Sequence, residues 1–415
     1  MVKTIKLFEN SSYITKFNAT VLNCLGVEAD DKNFEKYNYK IVLDKTAFYP
    51  EGGGQPSDKG CLLPIKISKS LDVESKTFLE VLDVKEKDGV IYHYVNFPLE
   101  EGCVVEGKID WNFRFMLMQH HTGEHIVSGL INRHYGFSNV GFHMGEHNVS
   151  IDFDGKLSDE NLNFIEWQAN NIVYKNLGIK IDFPVPDELD LLNYRSKKII
   201  DGEIRIVSVP SADVCACCGT HVKYTGEVGI IKLISSQNYK GGTRIFMLCG
   251  KKALYDYNQK NEILSEIASQ LSSKPETAMI YLAKLKADRA RLKSENNSLL
   301  DTIFELKAES IDKNLKKVIL FEENLTTFDL MRFSSHLTKD RDGIIFLFSG
   351  NDEDGYKYLI SSVTLDIKFI SENFNKTFGA KGGGKSNCIQ GNVIALRKDI
   401  EAYFEPFDFN FVMNL

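Results

Sequence analysis

The segment Cys215-Ala216-Cys217-Cys218-Gly219-Thr220-His221 puts three cysteines and a histidine within seven positions. Such a cluster closes a disulfide, holds a metal ion by itself, or supplies half of a site completed elsewhere. The chain has eight cysteines in 415 residues, and Cys24, Cys61, Cys103, Cys249 and Cys388 stand isolated. That is no disulfide framework, and it suits a reducing cytoplasm. No second cysteine pair exists to build a zinc knot with Cys215 and Cys218. The missing half is offered by Gln119-His120-His121-Thr122-Gly123-Glu124-His125. On a helix, His121 and His125 project from one face and can share one ion. Cys217 and His221 have the same spacing, with Gly219 allowing a tight turn between them. Three imidazoles and a thiolate make a tetrahedral set suited to zinc. His121, His125, Cys217 and His221 are therefore the expected ligands of one Zn2+ per chain.

A second pair, His143 and His147, is also four residues apart. Gly141, Gly145 and the alternation of Val149, Ile151 and Phe153 place it in a loop entering a strand, where that spacing has no special meaning. These histidines read as pocket or surface residues, with His143 a candidate for substrate contact. Both pairs spell H-x-x-E-H, the pattern of a class of zinc metallopeptidases whose Glu is the general base. That reading leaves Cys217 and His221 without a role.

The elements that must position these groups follow from periodicity. Residues 1–98 read as a β-rich domain: Tyr39–Asp44 is apolar and β-branched, and Asp88-Gly89 turns between two alternating segments. Between them lies the glycine-proline loop Phe48–Gly60. From Trp111 the period becomes helical, ending near Tyr135-Gly136, and Ser158 is a plausible N-cap for a second helix. Residues 99–250 thus read as an α+β zinc-binding domain. Residues 251–311 read as a helical, coiled-coil-like arm broken at Ser272–Glu276, with capping-box spacing between Ser273 and Glu276. Leu285, Leu292, Leu299 and Leu306 repeat every seven residues, but Arg289 and Asn296 interrupt the companion row, so the arm is either a connector or a dimer seam. Residues 312–415 read as a small α/β domain with strands near 316–321, 343–348 and 356–361 and a second glycine loop, Gly379–Gly391. The fold class expected is α+β overall.

Composition bounds the partners. The chain is 43 % hydrophobic and 26 % charged, with a net charge of −7. No apolar run suits a membrane span or a signal peptide. The acidic balance argues against a chain coated in nucleic-acid-binding surface. One stretch, Lys376 to Lys398, carries five basic residues and no acid; it either faces phosphate or is solvated surface.

The motif His121-Thr122-x-x-His125, followed by Cys217-x-Gly219-Thr220-His221-Val222 and Thr225-Gly226, resembles the editing domain of alanyl-tRNA synthetase. So do Thr46–Gly60 upstream and Arg244–Leu254 downstream. The arm and Gly379–Gly391 are similar to the synthetase's C-terminal DHH-associated domain. Threonyl-tRNA synthetase has a related editing domain, but the glycine-rich C-terminal unit favours the alanine branch. The chain opens directly on the editing module, so the resemblance is to the freestanding alanyl-tRNA editing proteins, the long-form AlaX group. Two departures stand out: Thr-Gly-Glu lies between the two histidines of the helix, and Cys218 takes the place of a glycine.

The resemblance implies hydrolysis of the ester joining a wrong amino acid, serine first and glycine second, to tRNA(Ala). Zinc would activate water or, with four protein ligands in place, hold the pocket together. Serine exceeds alanine by one hydroxyl, and a site built to bond that hydroxyl rejects the analogue lacking it by on the order of 10⁴-fold. Thr46, Gly53, Gly54 and Gln55 are the expected readers; Thr46, Gln55 and Glu124 are the catalytic candidates, with the role of Glu124 open. Lys376, Lys381, Gly382, Gly383, Gly384, Lys385 and Gln390 would meet the tRNA backbone. The partners expected are mischarged tRNA(Ala), a second copy of the chain through the arm or C-terminal domain, and no membrane. A non-catalytic RNA-binding protein with a structural zinc is the third reading.

Overall fold

A computed structural model describes residues 3–28, 36–66, 78–145, 148–196, 204–339 and 341–412. His147 lies outside them. The chain divides into two compact units, residues 1–264 and 265–415.

The first unit opens with a seven-stranded antiparallel sheet. Its order is Leu79–Val81, Gly60–Lys66, Val104–Ile109, Lys16–Gly26, Tyr39–Leu43, Val90–Val95 and Asp83–Lys87. The long strand Lys16–Gly26 pairs with Val104–Ile109 through its first half and with Tyr39–Leu43 through its second, with a register shift between Val21 and Asn23. Alternating residues such as Val21, Ile41, Leu43, Leu62, Val84, Ile91 and Val105 fill its core. Asp88 (φ 54°) and Gly89 (φ 78°) turn the hairpin between Asp83–Lys87 and Val90–Val95. Positive φ at both central residues is what a twisted two-residue hairpin demands. The sheet extends past residue 98 to take in Val104–Ile109.

The helix Trp111–Tyr135 starts where the Asp110 carboxylate accepts from Phe113 N–H at 3.1 Å, and it stops at Gly136 (φ 72°), whose N–H donates to Asn132 O at 2.8 Å. Every residue from Leu117 to Ile131 is buried. The helix is enclosed by a four-stranded sheet (Asn139–Met144, Val149–Phe153, Gly242–Cys249, Ile231–Tyr239), the three-stranded sheet Lys180–Asp182, Ile206–Val209 and Asp213–Ala216, and the helix Asp159–Tyr174. Ser158 caps this last helix reciprocally with Asn161. Close approach explains Gly123: a Cβ there would sit 2.4 Å from Cys249 Sγ.

Arg114 joins the helix to the N-terminal sheet. Wholly buried, it pairs with the wholly buried Asp58 at the end of the first glycine loop, Nε to Oδ1 at 2.6 Å, and donates to Ser12 O and Ala47 O. Nothing in the residue spacing announces this pair.

The second unit holds a six-stranded sheet, in order Lys381–Lys385, Cys388–Val393, Gly355–Ser362, Ile344–Asn351, Lys317–Glu322, Asn410–Val412. The last three strands are mutually parallel and the rest antiparallel. Two expectations change here. The second glycine segment is not a loop but an edge hairpin, Lys381–Lys385 against Cys388–Val393; a Cβ at Gly382 would lie 1.9 Å from Tyr358 Oη, so the glycines admit close strand and side-chain contact. The Ser273–Glu276 capping box does not form, because Ser273 Oγ donates to Ala268 O and Lys274 N–H meets Thr277 Oγ1. In the helix Ala278–Ser310, Leu285, Leu292, Leu299 and Leu306 are all more than half exposed. The row packed within the unit is Leu300, Phe304 and Ala308, with Phe304 stacked on Phe333 of the helix Thr327–Thr338.

Asp58→Asn should destabilise the first unit by about 3–5 kcal/mol, because it strands a buried guanidinium. A urea midpoint shifted by less than about 1 kcal/mol would show the pair to be dispensable.

Candidate metal centre

The helix brings His121 and His125 to one face, and the loop after Asp213–Ala216 brings Cys217 and His221 opposite them. One donor atom from each of the four lies within 4.8 Å of the others. Cys217 Sγ is 3.4 Å from both His121 Nε2 and His221 Nε2. All three histidines are buried, and Cys217 is the half-buried member. The fit to a metal is chemical as well as geometric. Each histidine turns one ring nitrogen inward, and a protein oxygen approaches the Nδ1 of each: Gln55 Oε1 at 2.8 Å for His121, Asp213 Oδ2 at 3.0 Å for His125, Thr122 Oγ1 at 3.2 Å for His221. Oxygen partners on the outer nitrogens are the usual means of fixing metal-binding imidazoles.

The charges agree. Burial opposes a Cys217 thiolate, yet His121 and His221 hold the thiol well below its ordinary 9. Burial and the neighbouring His121 press His221 down to about 3, leaving it a neutral donor. Asp213 is a residue that spacing did not flag. Arg195 grips both its oxygens at 2.7 Å while His125 faces it. Arg205, also unflagged, donates to Cys217 O at 2.6 Å and Gly219 O at 3.0 Å, shaping the ligand loop from below. Cys215 lies near His125 and Asp213, and burial raises its thiol to about 11.

The other candidates fall into three places. Glu124 is buried beside the centre: Oε1 accepts from Ser128 Oγ at 2.6 Å and from Asn139 Nδ2, and Oε2 lies 3.9 Å from His125 Nε2. The glycine loop meets the strand Asn139–Met144, where Gly54 O accepts from Met144 N–H at 3.0 Å and the Phe142 ring stacks on His121. Gly53 and His143 are exposed at this rim, and Gly54 is half-buried. Gln55 and Thr46 are wholly buried. The His93 proton sits on Nδ1 toward Ile41 O, so Thr46 Oγ1 donates to Nε2 at 2.8 Å and accepts from Phe48 N–H at 3.1 Å. The RNA-contact candidates lie in the second unit: Lys381 to Lys385 and Gln390 are exposed on the edge hairpin, and Lys376 is in the last turn of the helix Lys368–Phe378.

Residues 204–246 match the family model described as the threonyl and alanyl tRNA synthetase second additional domain, and residues 3–113 match that of class II (A) tRNA synthetases. Over 413 residues the chain is 29% identical to the alanyl-tRNA editing protein AlaX-L of Pyrococcus horikoshii, covering 96% of it. It is 25% identical to the alanyl-tRNA editing protein Aarsd1-A of Xenopus laevis, again over 96% of that protein. The alanine–tRNA ligase of Pyrococcus abyssi is 30% identical over 421 residues, and the chain spans 43% of that ligase's length. The chain is thus a close, nearly full-length match to alanyl-tRNA editing proteins. Among the described residues no helix is long and apolar enough to cross a membrane.

Burial favours the neutral acid at Asp213, but His125 and Arg195 hold its carboxyl at about 2. Against an unfolded value near 3.9, that depression contributes stability that is full above pH 4 and is lost as pH falls toward 2. Asp213→Asn should therefore flatten this acid branch by about 2–3 kcal/mol, read from urea midpoints across pH 2–5. An unchanged branch would assign acid lability elsewhere.

Proposed function

We propose that the chain is a trans-acting deacylase that hydrolyses the ester of mischarged tRNA(Ala), serine first and glycine second, at a site built on one zinc ion. The observation that carries this reading is the convergence of His121, His125, Cys217 and His221 from two distant segments. The two alanyl-tRNA editing proteins matched over nearly their whole length support the substrate class.

Bound there, zinc would supply a Lewis acid that acidifies water to roughly pKa 7 or, with four protein ligands attached, a brace for the pocket. The protein's own groups do the rest. An aminoacyl ester is already activated, so positioning and water delivery dominate. Glu124, held by Ser128 and Asn139 beside His125, is placed to take a proton from the attacking water. Gly53, Gly54 and His143 form the rim that meets the amino acid, with backbone N–H groups able to approach closely. Thr46, buried behind that rim, acts in this reading through the loop it anchors rather than from the open surface. The exposed hairpin with Lys381, Lys385, Gln390 and glycines 382–384, together with Lys376, is the surface offered to the tRNA backbone. The exposed leucine row of the long helix would seat a second copy of the chain.

The peptidase reading gives no place to a thiolate, whereas Cys217 stands 3.4 Å from two of the imidazoles. Incubated with tRNA(Ala) charged with serine, the chain should release the amino acid, while alanine-charged tRNA should keep its own. His125→Ala should abolish release, and Glu124→Gln should slow it by about 10²-fold or more. A seryl ester that survives the zinc-loaded protein overturns the reading; protection of that ester would indicate a binding protein, and casein cleavage a peptidase.

A further inference from the structure

Gln55 lies 66 positions from His121 and 165 from Thr220, yet its one amide holds both. Its Oε1 is 2.8 Å from His121 Nδ1 and accepts from Thr220 N–H at 3.1 Å; its Nε2 donates to Thr220 Oγ1 at 2.8 Å. His121 belongs to the helical half of the centre. Thr220 is the residue before His221, inside the loop that forms the other half. The amide is wholly buried, so all three bonds are made where water does not compete for them.

The neighbouring backbone is packed closely around the side chain. A Cβ on Gly219 would lie 2.0 Å from His121 Cε1 and 3.0 Å from Gln55 Oε1, so only glycine admits the ring and the amide together. Gly52 and Gln55 bond each other's backbones across the turn, Gly52 N–H to Gln55 O at 3.1 Å and Gln55 N–H to Gly52 O at 2.9 Å. Gly54 (φ 85°) runs against Phe142, where a Cβ would lie 2.6 Å from the carbonyl oxygen. The glycine sequence thus forms a tight turn that delivers one amide inward while leaving Gly53 at the surface.

From this geometry we infer that Gln55 is a positioning residue for the metal centre: it orients His121 and fixes the loop carrying Cys217 and His221, and it does not read the substrate's hydroxyl. A group that bonds the serine hydroxyl needs a donor or acceptor turned to the open side of the pocket. The Gln55 amide spends both ends on the protein. Because its single planar group ties the two halves, it makes metal loading depend on the N-terminal glycine loop. This assignment rests on the zinc reading of the four ligands.

The test uses the full chain and three variants, with zinc affinity measured by competition against a chromophoric chelator and Co2+-substituted protein observed by visible absorption. Gln55→Met keeps the length and removes every bond; it should weaken zinc by about 10–100-fold and shift the Co2+ bands. Gln55→Glu, which retains an acceptor oxygen for His121, should recover affinity to within a few-fold. Thr220→Val removes only the acceptor of Nε2 and should give an intermediate loss; it carries the test if Gln55→Met does not fold. Unchanged affinity and spectrum in Gln55→Met, or in Thr220→Val where Gln55→Met is unfolded, overturn the inference. So does a Gln55→Met protein that keeps its metal and loses only the preference for seryl over alanyl tRNA. Failure of the wild-type protein to deacylate would refute the proposed function and leave the metal measurements standing.

Discussion

Everything in the first unit depends on gathering three imidazoles and a sulfur into a volume about the size of one cation, in a place nearly without water. Packed without an ion, such a cluster costs desolvation of every donor and invites repulsion among whichever nitrogens are protonated. The fold accepts that cost only because an oxygen approaches each outer nitrogen and the thiol is drawn toward its thiolate by the rings around it. The three oxygens come from three different places: the N-terminal glycine loop, the edge of a small sheet, and the ligand helix itself. No single element could supply the centre, which is why the β-rich sheet, the buried helix and the cysteine loop must form one compact unit.

Much of this was legible beforehand, for definite reasons. His121 and His125 are four apart on a helix whose limits are set by Asp110 and Gly136, so their shared face follows from local rules. Cys217 and His221 stood out because cysteines are rare and clusters rarer. The outer partners were not legible. Gln55 lies within a recognised motif, but spacing says nothing about which way its amide turns. Asp213, Arg195 and Arg205 are ordinary charged residues until tertiary structure sets them against the ligands. The Arg114–Asp58 pair is invisible for the same reason. The readings at the C-terminal end turned on context. Glycine density suggested a loop at Gly379–Gly391, yet the same glycines let a strand lie close to Tyr358 Oη. Heptad leucines suggested a seam, while the packing inside the second unit falls on Leu300, Phe304 and Ala308.

The buried helix also constrains where chemistry can occur. With every residue from Leu117 to Ile131 enclosed, access to the centre cannot come along the helix. The half-buried Cys217, the exposed Gly53 and the exposed His143 mark the open side. Backbone N–H and C=O groups carry no rotamer entropy and cannot retreat on binding, so at this rim they suit the hydroxyl discrimination proposed for the chain.

That division of labour has an energetic logic. Discriminating serine from alanine takes a few kilocalories per mole, which one well-placed hydrogen bond and the penalty of leaving its partner unmade can provide. Such a bond discriminates only if its donor is held to within a few tenths of an ångström. A loop of three glycines is by itself too flexible to hold anything so closely. Here it is fastened on both sides: Glu51 N–H bonds Val84 O before the glycines, Gly54 O accepts from Met144 N–H, and after them Gln55 bonds His121 and Thr220 while Asp58 holds the buried Arg114. The loop's rigidity is therefore drawn from the helix and the cysteine loop it bonds as well as from its own sheet.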